Sequence, residues 1–302
     1  MTYGSPKTLA EVPRYLKNVY GGRDADAENI REFQRRYKLI GGSPLIKITK
    51  DQASAVEKEL NKNSRDGLVF KTAAGMRFSR PFIDDVVAKL AHDVDEIIGI
   101  IMSPQYSPII MKGYLEELKV AVTKVKQKKL KLKIATDWHK EQYFIEALAQ
   151  RVKQALKKFP KKARDSVPVL FSAHSMPKRV IDKEPGYIDD LKETASLVAK
   201  KVGLPKKRWM FCYQSAGHTP EEWLKPDFAD VMPELQKKGQ KYILIAPVQF
   251  LSDHLEILYD VGIGAREQAE KHGITFARTE SLNTSPLFIH ALTSIVQKEA
   301  AK

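Results

Sequence analysis

The sequence repeats itself, because short motifs in its first half recur in the same order in its second half. Phe144-Ile145-Glu146-Ala147-Leu148, for example, returns 144 residues later as Phe288-Ile289-His290-Ala291-Leu292. Ordered repetition of this kind predicts a duplicated structural unit. The three matched pairs of segments are 2–6 with 173–177, 96–107 with 241–252, and 144–148 with 288–292.

Apolar runs of strand length alternate with amphipathic stretches of helix length throughout both halves. This alternation is typical of α/β proteins with parallel sheets. We expect two similar domains, at 1–158 and 159–302, with an insertion at about 19–49 that forms a lid or pocket wall. The predicted strands are 67–72, 96–103, 132–136, 167–173, 208–213, 241–250 and 274–278.

The two halves differ at their beginnings. A full apolar strand precedes His174, whereas only Met1 and Thr2 precede Tyr3, its counterpart in the repeat. The first strand of a doubly wound unit is normally central, and a central strand is costly to omit. We therefore expect the first strand of the first half to be truncated in this sequence.

Two polar runs follow directly on apolar runs, and each is predicted to be a loop at the carboxyl end of a buried strand. They are Ser172-Ala173-His174-Ser175 and Asp253-His254-Leu255-Glu256. Ligands of open α/β sheets bind at that edge. A histidine and acidic residues facing one crevice indicate proton transfer or metal binding.

The charge and composition of the chain limit the partners and cofactors that it can have. The net charge of +14 favours anionic partners, including small molecules with several carboxylates. A lysine-rich run at 124–133 indicates only a solvated face, and no nucleic-acid-binding motif accompanies it, so we expect no nucleic-acid partner. The lone cysteine, Cys212, excludes an internal disulfide and a cysteine-held iron–sulfur cluster, and fits the cytoplasm. No apolar run is long enough to span a bilayer.

Seven segments, in content and order, resemble the ferrochelatases, enzymes that insert ferrous iron into a porphyrin during haem synthesis. The resemblance covers nearly the whole chain. It implies two flavodoxin-like (Rossmann-type) domains with parallel four-stranded sheets and a porphyrin cleft between them. The segments are Ile40-Gly41-Gly42-Ser43-Pro44-Leu45, Arg80-Pro81-Phe82-Ile83, Pro104-Gln105-Tyr106-Ser107, Ser172-Ala173-His174-Ser175-Met176-Pro177, Tyr213-Gln214-Ser215-Ala216-Gly217, Glu222-Trp223-Leu224-Lys225-Pro226 and Ser252-Asp253-His254-Leu255-Glu256-Ile257-Leu258-Tyr259-Asp260.

The resemblance implies roles for individual residues. His174 and Glu256 are the expected catalytic and metal-contacting residues on one side of the porphyrin ring, with Asp260 as a further metal contact. Tyr3 is expected on the opposite side, where it also faces the metal. His254 is expected to be structural. Iron is then a substrate, and we expect no cofactor and no iron–sulfur cluster.

Tyr3 indicates the substrate subclass, because a tyrosine within Tyr-Gly-Ser-Pro resembles the coproporphyrin III ferrochelatases. Gln214-Ser215-Ala216-Gly217-His218-Thr219-Pro220 is similar to the same branch. The substrate is then an anionic porphyrin with four propionates. The residues expected to contact it are Tyr3, Arg36, Tyr37, Ser43, Ser107 and Tyr114. Arg36 is equally well explained as an ordinary solvated helix arginine.

Some features depart from the family pattern. In some ferrochelatases acidic residues follow the catalytic glutamate at every fourth position, but here Gly264 occupies the position after Glu256 and Asp260 in that series. In addition, the motif Pro104-Gln105-Tyr106-Ser107 resembles ferrochelatases that act on protoporphyrin more closely than those that act on coproporphyrin. Two alternatives stay open: a related chelatase of the sirohydrochlorin or cobalt type, and a porphyrin- or haem-binding homologue with impaired catalysis. We expect a cytoplasmic monomer, and loose association with a membrane surface is compatible with this expectation.

Overall fold

A computed structural model describes residues 1–302 except 63, 65–66, 126–129 and 218–220. The strands are β1 (Glu96–Ile100), β2 (Lys131–Ala135), β3 (Val169–His174), β4 (Trp209–Gln214), β5 (Tyr242–Pro247) and β6 (Thr275–Arg278). The α-helices are α1 (Val12–Val19), α2 (Ala27–Leu39), α3 (Leu45–Lys62), α4 (Ile83–Leu90), α5 (Pro108–Lys124), α6 (Gln142–Leu156), α7 (Lys178–Ile181), α8 (Pro185–Val202), α9 (Phe228–Lys237), α10 (Ala265–Lys271) and α11 (Pro286–Ala300). A π-helix (Ile257–Gly264) precedes α10, and 3₁₀ turns occupy Leu9–Glu11 and Lys206–Arg208.

The second half contains a parallel four-stranded sheet in the order β4-β3-β5-β6. Its two central strands are nearly continuous apolar runs, because helices cover both faces of the sheet. The sequence pattern therefore located these strands within a few residues. The order places the carboxyl ends of β3 and β5 side by side at one edge, so His174 and the loop after Pro247 meet there.

The first half repeats that order with fewer regular strands. Thr2 forms a parallel bridge with Met76, and the Met102 amide donates to the Met1 carbonyl, so the chain start lies between 75–77 and the end of β1. β1 then pairs with β2 in parallel. The prediction of four strands here is corrected to two regular strands among the described residues of this half, since the other two segments pair over only one or two residues.

The predicted strand at 67–72 is wrong. Two amides of this segment, those of Phe70 and Thr72, donate to the side chains of Asn61 and Glu57 on α3 instead of pairing with another strand. Leu68 and Val69 are exposed. This segment therefore pairs with no strand in the described part of the chain, and the paired segment follows at 75–77.

The two halves exchange helices. α6 belongs to the first half but packs against α8 and β5 of the second, while α11 packs against α3, β1 and β2 of the first. These helices carry the repeated motif, and its phenylalanines, Phe144 and Phe288, are fully buried. Both rings contact Trp138, with centroid distances of 5.3 and 6.4 Å. One hydrophobic core therefore joins the two halves.

Helix α2, which lies within the predicted insertion at 19–49, and the preceding helix α1 pack on the second half. α1 and α2 pack on each other and, through a cluster that includes Tyr15 and Tyr37, on Leu255 and Tyr259. This arrangement brings the insertion directly onto the segment that begins with Glu256. No helix in the described ranges has both the length and the apolar character needed to cross a membrane.

Candidate active site

His174 is the last residue of β3, at the edge where the strand order predicts a ligand site. Its Nδ1 atom lies within hydrogen-bond distance of the Ser175 carbonyl oxygen. A carbonyl oxygen only accepts, so Nδ1 carries the proton and Nε2 of the neutral ring has a free lone pair. Nε2 lies 3.5 Å from Oε2 of Glu256. The imidazole can therefore accept a proton or contact a metal on that side.

Glu256 lies immediately before the π-helix, and its Oε2 atom is buried. This oxygen has no hydrogen-bond partner among the described residues. A buried carboxylate oxygen that makes no hydrogen bond destabilises the folded state. Such atoms are rare in proteins, and they are often found at functional sites. The arrangement leaves an acceptor aimed at His174, able to receive a proton or a cation.

Asp260 follows Glu256 by four residues, on the π-helix. Its Oδ2 atom accepts a hydrogen bond of 2.6 Å from the Ser215 hydroxyl, and Oδ1 lies 3.7 Å from the Arg36 guanidinium. Burial raises the pKa of Asp260, and the Glu256 charge adds to this effect. A carboxyl group with a raised pKa is suited to accept a proton near neutral pH.

Tyr3 enters the site from the first half. It follows the paired residue Thr2, and Gly4 then turns the chain with a φ of +90°. A Cβ atom at Gly4 would lie 2.3 Å from Oγ of Ser79, so only glycine fits there. The Tyr3 ring packs on Phe78 at a centroid distance of 4.4 Å. Desolvation, followed by the Glu256 charge, raises the pKa of Tyr3 to about 12, although the residue as a whole is 44% exposed.

Arg36 lies on α2, where the insertion meets the second half. Its Nε atom is 2.8 Å from Oε1 of Glu32, and the guanidinium lies over the Tyr259 ring, 5.0 Å from the centroid. The neighbouring Arg35 binds the same carboxylate, and the two arginines lower the pKa of Glu32 to about 2. The contacts with Tyr259 and Asp260 place Arg36 beside the candidate site.

The other predicted substrate contacts are less accessible. Tyr37 and Tyr114 are buried, and burial raises the pKa of each phenol. Ser107 is fully buried, caps α5 and donates a 2.6 Å hydrogen bond to Glu184. Ser43 is partly buried at the start of α3, where its hydroxyl accepts from the Leu45 amide at 3.4 Å. Their contacts with a substrate stay predictions.

The contacts of His254 fit the structural role expected for it. Nδ1 donates to the Ser252 carbonyl oxygen at 2.9 Å, and the ring packs against Phe250 at a centroid distance of 4.5 Å. Residues 218–220, which carry part of the motif used to assign the subclass, lie outside the described residues.

Gln249 is a site residue that the sequence did not reveal. Its Oε1 atom accepts from the His174 amide at 2.8 Å, and its Nε2 atom donates to the Tyr187 hydroxyl at 2.6 Å. A buried phenol thus fixes the side chain that orients the histidine backbone. The only signal available was its place in the loop after the predicted strand 241–250.

Replacing Gln249 by alanine is expected to lower kcat of metal insertion by about two- to tenfold with little change in KM, because one hydrogen bond contributes about 0.5–1.5 kcal/mol. Steady-state kinetics measure both constants. Gln249→Glu retains an acceptor oxygen and should restore most of kcat. Equal losses in both variants would contradict a role in orienting His174.

Comparison with known proteins identifies the family. The family model described as ferrochelatase matches residues 1–300. The chain belongs to the ferrochelatase family. Members of this family are lyase-class enzymes of haem biosynthesis for which iron is a substrate.

Relatives cover the whole chain. A ferrochelatase of Deinococcus radiodurans is 38% identical over 304 aligned positions, covering 100% of this chain and 95% of the relative. A coproporphyrin III ferrochelatase of Geobacillus kaustophilus is 35% identical over 305 positions, again covering 100% and 95%. Both relatives support the interpretation of the repeated α/β chain as a porphyrin metallation enzyme.

Solved structures confirm the fold class. SirB from Bacillus subtilis, solved with Fe³⁺, superposes with a TM-score of 0.60 at 14% identity, covering 83% of this chain and 90% of SirB. CbiX, the terminal enzyme of sirohaem biosynthesis in denitrifying bacteria, gives a TM-score of 0.54 at 11% identity, with coverage of 84% and 92%. At these identities the similarity concerns the fold alone.

Proposed function

We propose that this ferrochelatase inserts ferrous iron into coproporphyrin III, with His174 and Glu256 acting on one face of the ring. The observation that carries the proposal is the lone pair on Nε2 of His174, which lies 3.5 Å from a buried Glu256 oxygen that has no hydrogen-bond partner within the part of the chain that the structure describes. The halves 1–158 and 159–302 each supply one wall of the binding site. Its location in the cytoplasm, its monomeric state and any loose membrane association stay predictions.

Metal insertion requires two pyrrole N–H groups to lose their protons as one Fe²⁺ ion takes their place. In the proposal, Nε2 of His174 accepts a pyrrole proton, because its lone pair is free when Nδ1 donates to Ser175. Glu256 stabilises the resulting imidazolium and relays the proton toward Asp260. Each cycle therefore releases two protons and one metalloporphyrin, and no other reactant is needed.

Tyr3 is proposed to face the opposite side of the ring. Two observations support this: Tyr3 and His174 each end the central strand segment of their own half, and the two halves are related by the repeat. With a pKa of about 12, the phenol stays protonated at neutral pH. A neutral hydroxyl can approach the metal without the cost of burying an anion.

The choice of coproporphyrin III rests on charge and on the relatives. Four propionates favour a basic protein, and the net charge is +14. Arg36 supplies a guanidinium at the site, and a cavity of about 220 Å³ between residues 6–9 and the end of α2 is lined by Lys7, Lys38 and Tyr37. The relatives named as coproporphyrin III ferrochelatases cover the full chain at 33–35% identity.

Anaerobic iron insertion into coproporphyrin III and protoporphyrin IX, measured side by side, tests the substrate choice. We expect kcat/KM to be higher for coproporphyrin III, and Arg36→Gln to reduce that value by about 10- to 150-fold, since hydrogen bonds to charged groups contribute about 1.5–3 kcal/mol. Arg31→Gln, an exposed position on the same helix, is the matched control and should change it little. A preference for protoporphyrin IX would overturn the substrate assignment and leave metal insertion intact.

A further inference from the structure

Asn283, in the loop between β6 and α11, makes four hydrogen bonds to other segments of the chain. Its φ of +46° lies in the left-handed region, which asparagine adopts more readily than most residues. Its main-chain amide donates to the Leu251 carbonyl at 3.0 Å. In the side chain, Oδ1 accepts from the Asp253 amide at 2.9 Å, and Nδ2 donates to Oδ2 of Asp253 at 2.8 Å. Asn283 therefore clamps the segment 251–253.

The remaining hydrogen bond ties this loop to the first half. The Asn283 carbonyl accepts from Nε2 of Gln52 on α3 at 2.7 Å, and the same nitrogen lies 3.0 Å from Oγ of Ser252. Gln52 is buried, with only 2% of the residue exposed. One buried side chain of the first half thus holds both the Asn283 loop and the segment that this loop clamps.

Asp253, the residue that receives both side-chain hydrogen bonds, has further donors. Its Oδ1 atom accepts from the Ser281 hydroxyl at 2.9 Å and lies 3.4 Å from the Arg278 guanidinium. Only 22% of the Asp253 side chain is exposed. Hydrogen bonds to an ionised group are roughly twice as strong as neutral ones, so these donors fix the orientation of the carboxylate and of the main chain that carries it.

The clamped segment leads directly into the helical turn that carries Glu256. Glu256 is helical, and the His254 carbonyl accepts from the Leu258 amide at 2.9 Å, so this turn begins next to Asp253. Oε2 of Glu256 has no hydrogen-bond partner within the described ranges, although it lies 3.5 Å from Nε2 of His174. The position of this oxygen therefore depends on the main chain, which the clamp holds at the start of the turn.

We infer that Asn283 is a positioning residue for metal insertion, which holds the Glu256 carboxylate beside His174 by clamping the segment 251–253. The inference rests on the proposed function, in which Glu256 acts on the porphyrin. Misplacing a catalytic group by about 1 Å can lower a rate about 100-fold. Because Asn283 acts through Glu256, its loss should lower kcat and leave KM nearly unchanged.

Asn283→Gly tests the inference, because glycine adopts a positive φ freely and the change removes only the side-chain hydrogen bonds. We expect kcat of iron insertion to fall by about 10- to 100-fold with little change in KM, using the porphyrin that the wild type metallates faster. Steady-state kinetics measure both constants. Thr284→Ala, at the exposed neighbouring position in the same loop, is the matched control and should retain the wild-type kcat.

The Glu256→Gln background separates positioning from a general loss of structure. If Asn283 acts through the carboxylate, adding Asn283→Gly to Glu256→Gln should lower kcat by less than about twofold. Equal losses in both backgrounds, or an unchanged kcat for Asn283→Gly alone, would overturn the inference and leave the proposed function intact. Full activity of Glu256→Gln would instead overturn the catalytic role of Glu256, and the inference with it.

Ser281→Ala provides a second variant if Asn283→Gly does not fold. It removes one donor to Asp253 and should lower kcat by about two- to tenfold, the effect of one hydrogen bond. This loss should also disappear in the Glu256→Gln background. An unchanged kcat for Ser281→Ala, or a loss that persists in that background, would count against positioning of Glu256 through Asp253 and overturn the inference.

Discussion

Replacing His174 by alanine is expected to lower kcat of iron insertion into coproporphyrin III by a factor of about 100 to 10,000, the usual contribution of a positioned general base. The reason is that Nε2 is the free acceptor beside the Glu256 carboxylate, so without it the pyrrole protons must leave to water. Porphyrin affinity should change little, since the ring is held mainly by other contacts. Single-turnover absorbance measures the metallation rate, and fluorescence quenching measures binding.

His290→Ala provides the matched control for this experiment. His290 lies on α11, where it is partly exposed and pairs with Glu59 at 3.2 Å. Its loss should leave metallation unchanged. Added imidazole should partly restore activity to His174→Ala but have no effect on the control. Undiminished metallation by His174→Ala would rule out the assigned role.

Replacing Phe144 or Phe288 by alanine is expected to lower the free energy of unfolding by about 3–5 kcal/mol, because each change leaves a large cavity in a fully buried position. Both rings contact Trp138, so the losses should be coupled when the two changes are combined. Urea unfolding followed by circular dichroism measures each variant and the double variant. Phe288 belongs to the second half, but its helix α11 packs on the first half, so Phe288→Ala should destabilise the first half as well.

Tyr143→Ala is the control for the core, since Tyr143 precedes Phe144 on α6 and is 41% exposed. An exposed residue of this kind usually contributes little, so we expect a loss below about 1 kcal/mol. If Phe288→Ala lowered the free energy of unfolding by less than about 1 kcal/mol, the exchange of α6 and α11 between the halves would be contradicted. Fully additive losses would show that Trp138 does not couple the two rings.

The sequence predicted the second half well because its strands are buried on both faces. β3 and β5 are continuous apolar runs, and such runs have little alternative to a central parallel strand. The polar residues that follow them were therefore assigned correctly to one edge of the sheet. The duplication also predicted that the first half would resemble the second, with the chain start in the place of its first, central strand.

Other features depend on contacts between distant residues and had no local signal. The segment 67–72 is apolar enough for a strand, but side chains of α3 hold it apart from the sheet. Helices α6 and α11 would be amphipathic whether they packed on their own half or on the other one, so their sequence pattern could not indicate the exchange. The contacts of His139 with Asp190 and Glu193 form only because α8 of the second half packs beside a loop of the first, so no spacing along the chain could indicate them.

A crystal structure of the protein with metal-free coproporphyrin III tests the central claim most directly. The ring should lie between Tyr3 and His174, with Nε2 of His174 and the Glu256 carboxylate on the same face and directed at the pyrrole nitrogens. A ring bound elsewhere on the protein, or one whose nitrogens face neither His174 nor Glu256, would contradict it.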